Sequence, residues 1–244
     1  MHPLGAVSIG SLIEHVGSGE LMRVWEVDEN SKTLVVERGA NDTTPAPIAP
    51  KDPFRFMPRY TQREIRQALR DELRSLSAQG MYRPAHVRVE YDYVDSGYDI
   101  SHVDDLLSPY AIEYDYGGVK RFDYEFVRHD QFLRVYNHVP DGAEAVLWYR
   151  APFHDLPDDD SDVSSTGLPV SAHDILPLGA AVRLLQAKEI LRLDVEAQQH
   201  ARRPEDVREL ATMQAAAHLR LQRDMRIAEE AMRLRQRWPA RQGR

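Results

Sequence analysis

Val87-Arg88-Val89-Glu90-Tyr91-Asp92-Tyr93-Val94 alternates apolar and polar residues along its length. That period of two marks a strand with one buried and one wet face. Downstream, further strands are predicted at Ala111–Tyr116, Phe122–Arg128, Phe132–Tyr136 and Ala145–Tyr149. Gly117-Gly118 and Pro140-Asp141-Gly142 serve as turns, and Val103–Leu107 as a short helical turn. Ten of the eleven tyrosines lie between residues 82 and 149. Tyrosine suits a pleated, half-buried surface, so residues 81–155 are expected to form a compact antiparallel β domain of four to six strands.

Upstream of this domain the period changes. Thr61-Gln62-Arg63-Glu64 reads as a capping box, and Ile65, Leu69, Leu73 and Leu76 then share one helical face up to the stop at Gly80. Residues 61–80 are therefore a first helix. Before it, Leu21–Asp28 and Thr33–Gly39 flank the polar turn Glu29-Asn30-Ser31-Lys32, a hairpin pattern. Ser8–Val16 fits either a short helix or an extended lead-in. Between Asn41 and Pro58, prolines at 45, 47, 50, 53 and 58 forbid a regular helix. That stretch is read as an extended arm whose Phe54 and Phe56 pin it to a neighbouring subunit.

On the other side, 156–174 is rich in Asp, Ser, Pro and Gly and is read as a solvated acidic loop. Ile175–Gln199 carries Leu178, Ala181, Val182, Leu185, Leu191 and Val195 at helical spacing, with Asp174 as its cap and Pro177 tolerated in the first turn. After Arg202-Arg203, Pro204 opens a last helix that runs to Trp238. At 1.5 Å per residue the last helix would span roughly 50 Å against roughly 35 Å for its predecessor. Its final turns should then overhang, leaving Met232, Leu234 and Trp238 uncovered. The expected fold is α+β: an antiparallel helix bundle, made of one N-terminal helix and a long C-terminal helix pair, with an inserted antiparallel β domain. Its organisation is a hairpin and arm over 1–60, the first bundle helix over 61–80 and the β domain over 81–155. The acidic loop over 156–174, the helix pair over 175–238 and a tail over 239–244 complete it.

Composition narrows the function. The chain has 244 residues, an ordinary apolar share of 42% and a net charge of −8. Cysteine is absent, so disulfides, thiolate catalysis and cysteine zinc sites are excluded. No run approaches the ~20 apolar residues of a membrane span, and Met1-His2-Pro3-Leu4-Gly5 lacks a signal-peptide pattern. A soluble protein made in the cytoplasm is expected. The charge is uneven: from Arg202 to Arg244 there are 11 arginines and 6 acidic residues, leaving 20 basic and 33 acidic residues elsewhere. A basic end on an acidic body suits either docking on something acidic or a solvated helix.

Motifs for chemistry are missing or incomplete. Asp158, Asp160 and Asp162 imitate half of a calcium loop, but Val163 stands where glycine is needed and Pro169 where the bidentate glutamate should be. The ten histidines show no metal-ligand helical spacing; His86, His102, His129, His138 and His154 lie near aspartates but are read as exposed or satisfied. Gly17-Ser18-Gly19 lacks the third glycine of a dinucleotide loop. The tyrosine-rich segment could stack bases, yet residues 85–153 hold more acids than their Arg88, Lys120, Arg121, Arg128, Arg134 and Arg150. No catalytic residue, metal or cofactor is assigned, and an enzyme is the weakest reading.

Three segments together resemble the head-to-tail adaptor (connector) proteins of tailed bacteriophages, particularly those of actinobacterial siphophages. The first is Leu34-Val35-Val36-Glu37-Arg38-Gly39, then Asp42-Thr43-Thr44-Pro45-Ala46, then Pro58-Arg59-Tyr60-Thr61 leading into a helix. The second is Ile175-Leu176-Pro177-Leu178-Gly179-Ala180-Ala181. The third is Arg202-Arg203-Pro204-Glu205-Asp206-Val207 with Arg223-Asp224-Met225-Arg226-Ile227-Ala228-Glu229-Glu230-Ala231. Asn41 replaces the Gly usual in the family's Gly-Thr-Thr stretch. The order of elements is also similar to podovirus tail adaptors. The resemblance implies a structural virion protein of the neck: a homo-oligomeric ring, dodecameric in the family, beneath the portal protein. It would connect the DNA-filled head to a neck stopper or tail protein, and line part of the channel without binding DNA specifically. Portal contacts are expected at Met232, Leu234, Arg235, Arg237, Trp238, Arg241 and Arg244. The location implied is the virion neck, after assembly in the host cytoplasm. The rival reading is a DNA-binding or regulatory protein using the basic helix 204–237.

Overall fold

The computed structural model describes residues 7–92, 97–116, 118–135, 145–156, 162–198 and 209–236. Among these, twelve strands form three antiparallel sheets of four strands each, beside three α-helices. This overturns the expected helix bundle with a single β insertion, because the strands build three sheets, one of them ahead of the first helix, and only three helices stand beside them. Two compact units are present, Met1–Ala68 and Leu69–Arg244.

The first unit holds β1 (Leu12–His15), β2 (Leu21–Asp28), β3 (Thr33–Glu37) and β4 (Phe54–Phe56) in the order β3-β2-β1-β4. The predicted hairpin is β2–β3, its turn tightened by Asp28, whose carboxylate accepts the Asn30 and Ser31 amides at 2.9 and 3.2 Å. Within Ser8–Val16, Leu12–His15 forms a strand. The proline-rich arm is corrected: it returns to its own sheet, with Phe54 opposite His15 and Phe56 opposite Ile13. Both rings are partly buried and pack on the core of Val7, Ile13, Met22 and Val24, which anchors the arm within its own unit. Prolines forbid a helix here but tolerate a short edge strand.

Two buried glutamates brace this unit. Glu20 receives both Nε and Nη2 of Arg38 at 2.6 Å, and the amides of Gly39 at 3.1 Å and Ala46 at 3.0 Å. Gly39 is left-handed at φ +70°, and a Cβ there would meet the Thr43 carbonyl at 2.8 Å. Asn41 also stands left-handed, at φ 53°, a conformation that asparagine tolerates better than most residues. Glu14 accepts the Gln62 amide at 2.5 Å and Arg55 at 3.1 Å. Buried His15 bridges Ser18 at 2.7 Å and Asp52 at 3.2 Å. Gly19 donates its amide to the His15 carbonyl, so this Ser–His–Asp cluster works as a clasp on the β1–β2 turn.

The helix α1 (Gln62–Ser75) begins where predicted. Thr61 donates its amide to Glu64 at 2.7 Å, and Glu64 returns its own to the Thr61 hydroxyl at 3.2 Å. Gly80 closes the following 3-10 turn at φ 86°.

The second unit contains β5 (Arg83–Val89), β6 (Tyr91–Asp92), β7 (Gly97–Asp99), β8 (Ser108–Tyr116), β9 (Val119–Asp123), β10 (Phe126–His129), β11 (Phe132–Val135) and β12 (Ala145–Ala151). The sheets run β5-β12-β8-β9 and β10-β11-β7-β6. They share one core, with Ala85, Ile112, Leu147 and Tyr149 from the first and Tyr98 and Leu133 from the second. The alternating run from Val87 is split at Glu90, where the chain passes from one sheet to the other. Phe122–Arg128 is also two strands: Asp123 ends β9 and caps the turn by accepting the Glu125 amide at 3.0 Å. Val103–Leu107 forms turns without a helix. Eight strands thus replace the four to six expected. The acidic aspartates at 158 and 160 lie outside the described residues.

The helices α2 (Ile175–Gln198) and α3 (Glu209–Arg235) have 24 and 27 residues. At 1.5 Å per residue these are about 36 and 40 Å, so the described helices are closely matched in length. The predicted start at Pro204 and end at Trp238 lie outside the described residues.

Candidate assembly surface

The helix pair is held by buried carboxylates. Glu72 of α1 accepts Nε of Arg183 from α2 at 3.1 Å and Nε of Arg223 from α3 at 2.5 Å. Glu72 and Glu230 are each 1% exposed. Gly179 makes room for this joint: a Cβ on it would stand 2.0 Å from the Glu72 carboxyl carbon. Lower down, Asp174 takes Arg226 at 2.8 and 3.2 Å, and Glu230 takes the Ser171 hydroxyl at 2.8 Å and Arg233 at 2.7 Å. Asp174 therefore starts α2 through its backbone carbonyl, while its side chain ties α2 to α3. Arg226 holds the Asp174 carboxyl below the usual carboxylate range. A buried carboxylate left without its arginine would cost several kcal/mol, so these contacts fix the pairing of the helices.

The same contacts run antiparallel, and they show α3 continuing past the start of α2, as expected. The overhang is nevertheless covered. Ile227 and Leu234 enter a core with Leu73, Leu76, Phe153, Leu168 and Ile175. Leu234 is only 4% exposed, so its assignment as an uncovered portal anchor is corrected. The cover comes from the segment read as a solvated loop, in which Leu156, Leu168 and Ala172 are buried. Their apolar side chains were masked in sequence by the surrounding aspartates and serines.

What stays open is the opposite face of α3. Leu221, Met225 and Met232 are 60%, 64% and 63% exposed, and Ala228 between them is exposed as well. Steps of four, three and four residues align them into one seam, the spacing by which one helix accepts another. Burying a large apolar side chain contributes about 1.5–3 kcal/mol. Of these residues the sequence predicted only Met232 to be uncovered, since helical spacing does not by itself tell the covered face from the open one. The signal that distinguishes them is that Ile227, Glu230 and Leu234 occupy the inner side.

A second exposed patch lies in the first unit. Trp25, 60% exposed, is the extra residue of a bulge in β2, and Val35 of the edge strand β3, 53% exposed, pairs with the next residue, Glu26. Exposed aromatic residues of this kind commonly anchor partners.

Of the other predicted contact residues, Arg235 is exposed, while Arg237, Trp238, Arg241 and Arg244 lie outside the described residues. Charge along α3 is largely committed: Arg220, Arg223, Arg226 and Arg233 are all ion-paired with carboxylates. Among the described residues, no three His, Asp or Glu side chains gather as a metal site requires, and no helix is long and apolar enough to cross a membrane. Comparison of the chain with protein-family models, with curated proteins and with solved structures gives no match.

Proposed function

We propose that this chain is a structural, non-enzymatic subunit of a phage neck, a head-to-tail adaptor that forms a ring beneath the portal and joins the filled head to the tail. The observation that carries the reading is the seam of Leu221, Met225, Ala228 and Met232, an apolar helix face that its own chain leaves open. Solvent-exposed apolar lines of this length usually meet a partner. The resemblance to adaptors supports the identity of that partner. Its Arg38, Gly39 and Ala46 carry the Glu20 brace, and its Arg223-to-Ala231 stretch carries the ion-pair network on α3.

In this reading, neighbouring copies cover Leu221, Met225 and Ala228, while Met232 at the end of the seam, Arg235 and residues 237–244 approach the portal. The acidic body faces passing DNA without holding it, since like charge repels the genome. The test is imaging of the purified full chain alone and with the portal protein of the same genome. Rings of uniform size that seat on the portal are expected. A chain that stays monomeric at high concentration and leaves the portal bare rejects the reading. Truncation after Gln236 should leave a folded protein with weakened portal attachment.

A further inference from the structure

A recess of about 440 Å³ lies in the second unit, where the last turn of α3 meets the sheet of β5, β12, β8 and β9. Its volume falls within the ~300–1,000 Å³ typical of ligand pockets. Tyr82, Tyr110 and Arg150 line one side, and Ala231, Leu234 and Arg235 the other. No carboxylate is among the described residues that line it. This sets the recess apart from its surroundings, where Arg83, Arg223, Arg226 and Arg233 each meet an acid. The Arg150 guanidinium lies over the Tyr82 ring, 5.3 Å from its centroid. A guanidinium held over a ring face still has its N–H donors for a planar carboxylate.

We infer that this recess is a binding site for an acidic peptide segment of a partner protein, with Arg150 and Arg235 receiving its carboxylates. An apolar or aromatic side chain of the same segment would lie against Tyr110 and Leu234. The carbonyl end of α3 adds about half a negative charge at the rim, which the two guanidiniums outweigh. A nucleic acid fits less well. Phosphate backbones need a track of cations over many ångströms, whereas this site is one recess with two guanidiniums on a chain of net charge −8. The inference is independent of ring formation, since none of the seam residues Leu221, Met225, Ala228 and Met232 lines the recess.

The experiment uses the full chain and a fluorescent acidic peptide carrying one central phenylalanine, followed by anisotropy. Saturable binding is expected, weakened roughly tenfold or more in Arg150→Gln and in Arg235→Gln, as loss of a charge-assisted contact predicts. Arg220→Gln, which alters an arginine away from the recess, should bind as the parent does. Circular dichroism reports whether each variant folds. Arg235 is exposed at the helix end, so Arg235→Gln decides the matter if Arg150→Gln does not fold. Absence of saturable binding, or unchanged affinity in folded Arg235→Gln, overturns the inference. So does an oligothymidine that displaces the peptide at equal or lower charge concentration. Amide-substituted peptide, with Gln and Asn for its acids, should not compete.

Discussion

At the scale of single residues, four glutamates with almost no solvent exposure (Glu14, Glu20, Glu72 and Glu230) do what an apolar core does elsewhere. Each is paired with at least one arginine, because a buried charge without a partner is expensive. Glu20 gives this a measurable pH dependence. Arg38 first, and then the Ala46 and Gly39 amides, hold its carboxyl down to about 2 against the opposing effect of burial, from an ordinary value of 4.5. A carboxyl whose folded pKa is depressed contributes stability that is complete above its unfolded pKa and is lost as pH falls toward the folded one. With Arg38 partly exposed and screened, that contribution is about 2 kcal/mol. Urea midpoints of the parent should therefore fall between about pH 5 and pH 2 more steeply than those of Glu20→Gln, the two converging in acid. A gap between them that is constant over this range would remove Glu20 as the cause.

At the scale of elements, local pattern carried some of the fold. The β2–β3 hairpin and the start of α1 follow from a polar turn between β-rich runs and from a capping box, both complete within a few neighbouring residues. β4 and β7 escaped notice because strands of three residues carry no period, and proline surrounds the first of them. The break at Glu90 is set by the sheet each half joins, which is a long-range choice. The joint between α1, α2 and α3 was also illegible, since a glycine at 179 reads as a weak point in a helix. Helix propensity predicts that Gly179→Ala gains up to ~1 kcal/mol. The structure predicts the opposite sign. The new Cβ would lie 2.0 Å from the Glu72 carboxyl carbon, and that carboxylate cannot swing aside without leaving Arg183 and Arg223. A loss of about 3 kcal/mol is expected, combining overpacking with a disturbed buried ion pair. In a double-mutant cycle with Glu72→Ala the two losses should be less than additive, because removing the carboxylate vacates the space. Simple additivity would mean that the two residues do not share this joint.

At the scale of the whole molecule, the candidate surface was legible in kind but misplaced. The sequence predicts an arginine-rich end on the last helix and an uncovered tip at Met232, Leu234 and Trp238. Leu234 is instead covered by the chain's own Phe153 and Leu168, and the open apolar surface lies along the side of α3. Which face of a helix its own chain covers depends on contacts distant in sequence, so periodicity alone could not choose between the side and the tip. This relocation leads to a sharp expectation for assembly. Met225 is 64% exposed, and a substitution at such a position changes the stability of the lone chain by no more than about 0.5 kcal/mol. In a ring, the same side chain would pass from water into a helix–helix contact worth about 1.5–3 kcal/mol. A carboxylate there would have to be buried without a partner. Met225→Asp should thus leave the thermal midpoint of the dilute protein nearly unchanged while raising the concentration needed for self-association by roughly tenfold or more. Sedimentation velocity over a concentration series separates the two effects. Ring formation that survives Met225→Asp and Leu221→Asp together would show that neighbouring copies meet through some other face, with the Trp25 and Val35 patch the next to test.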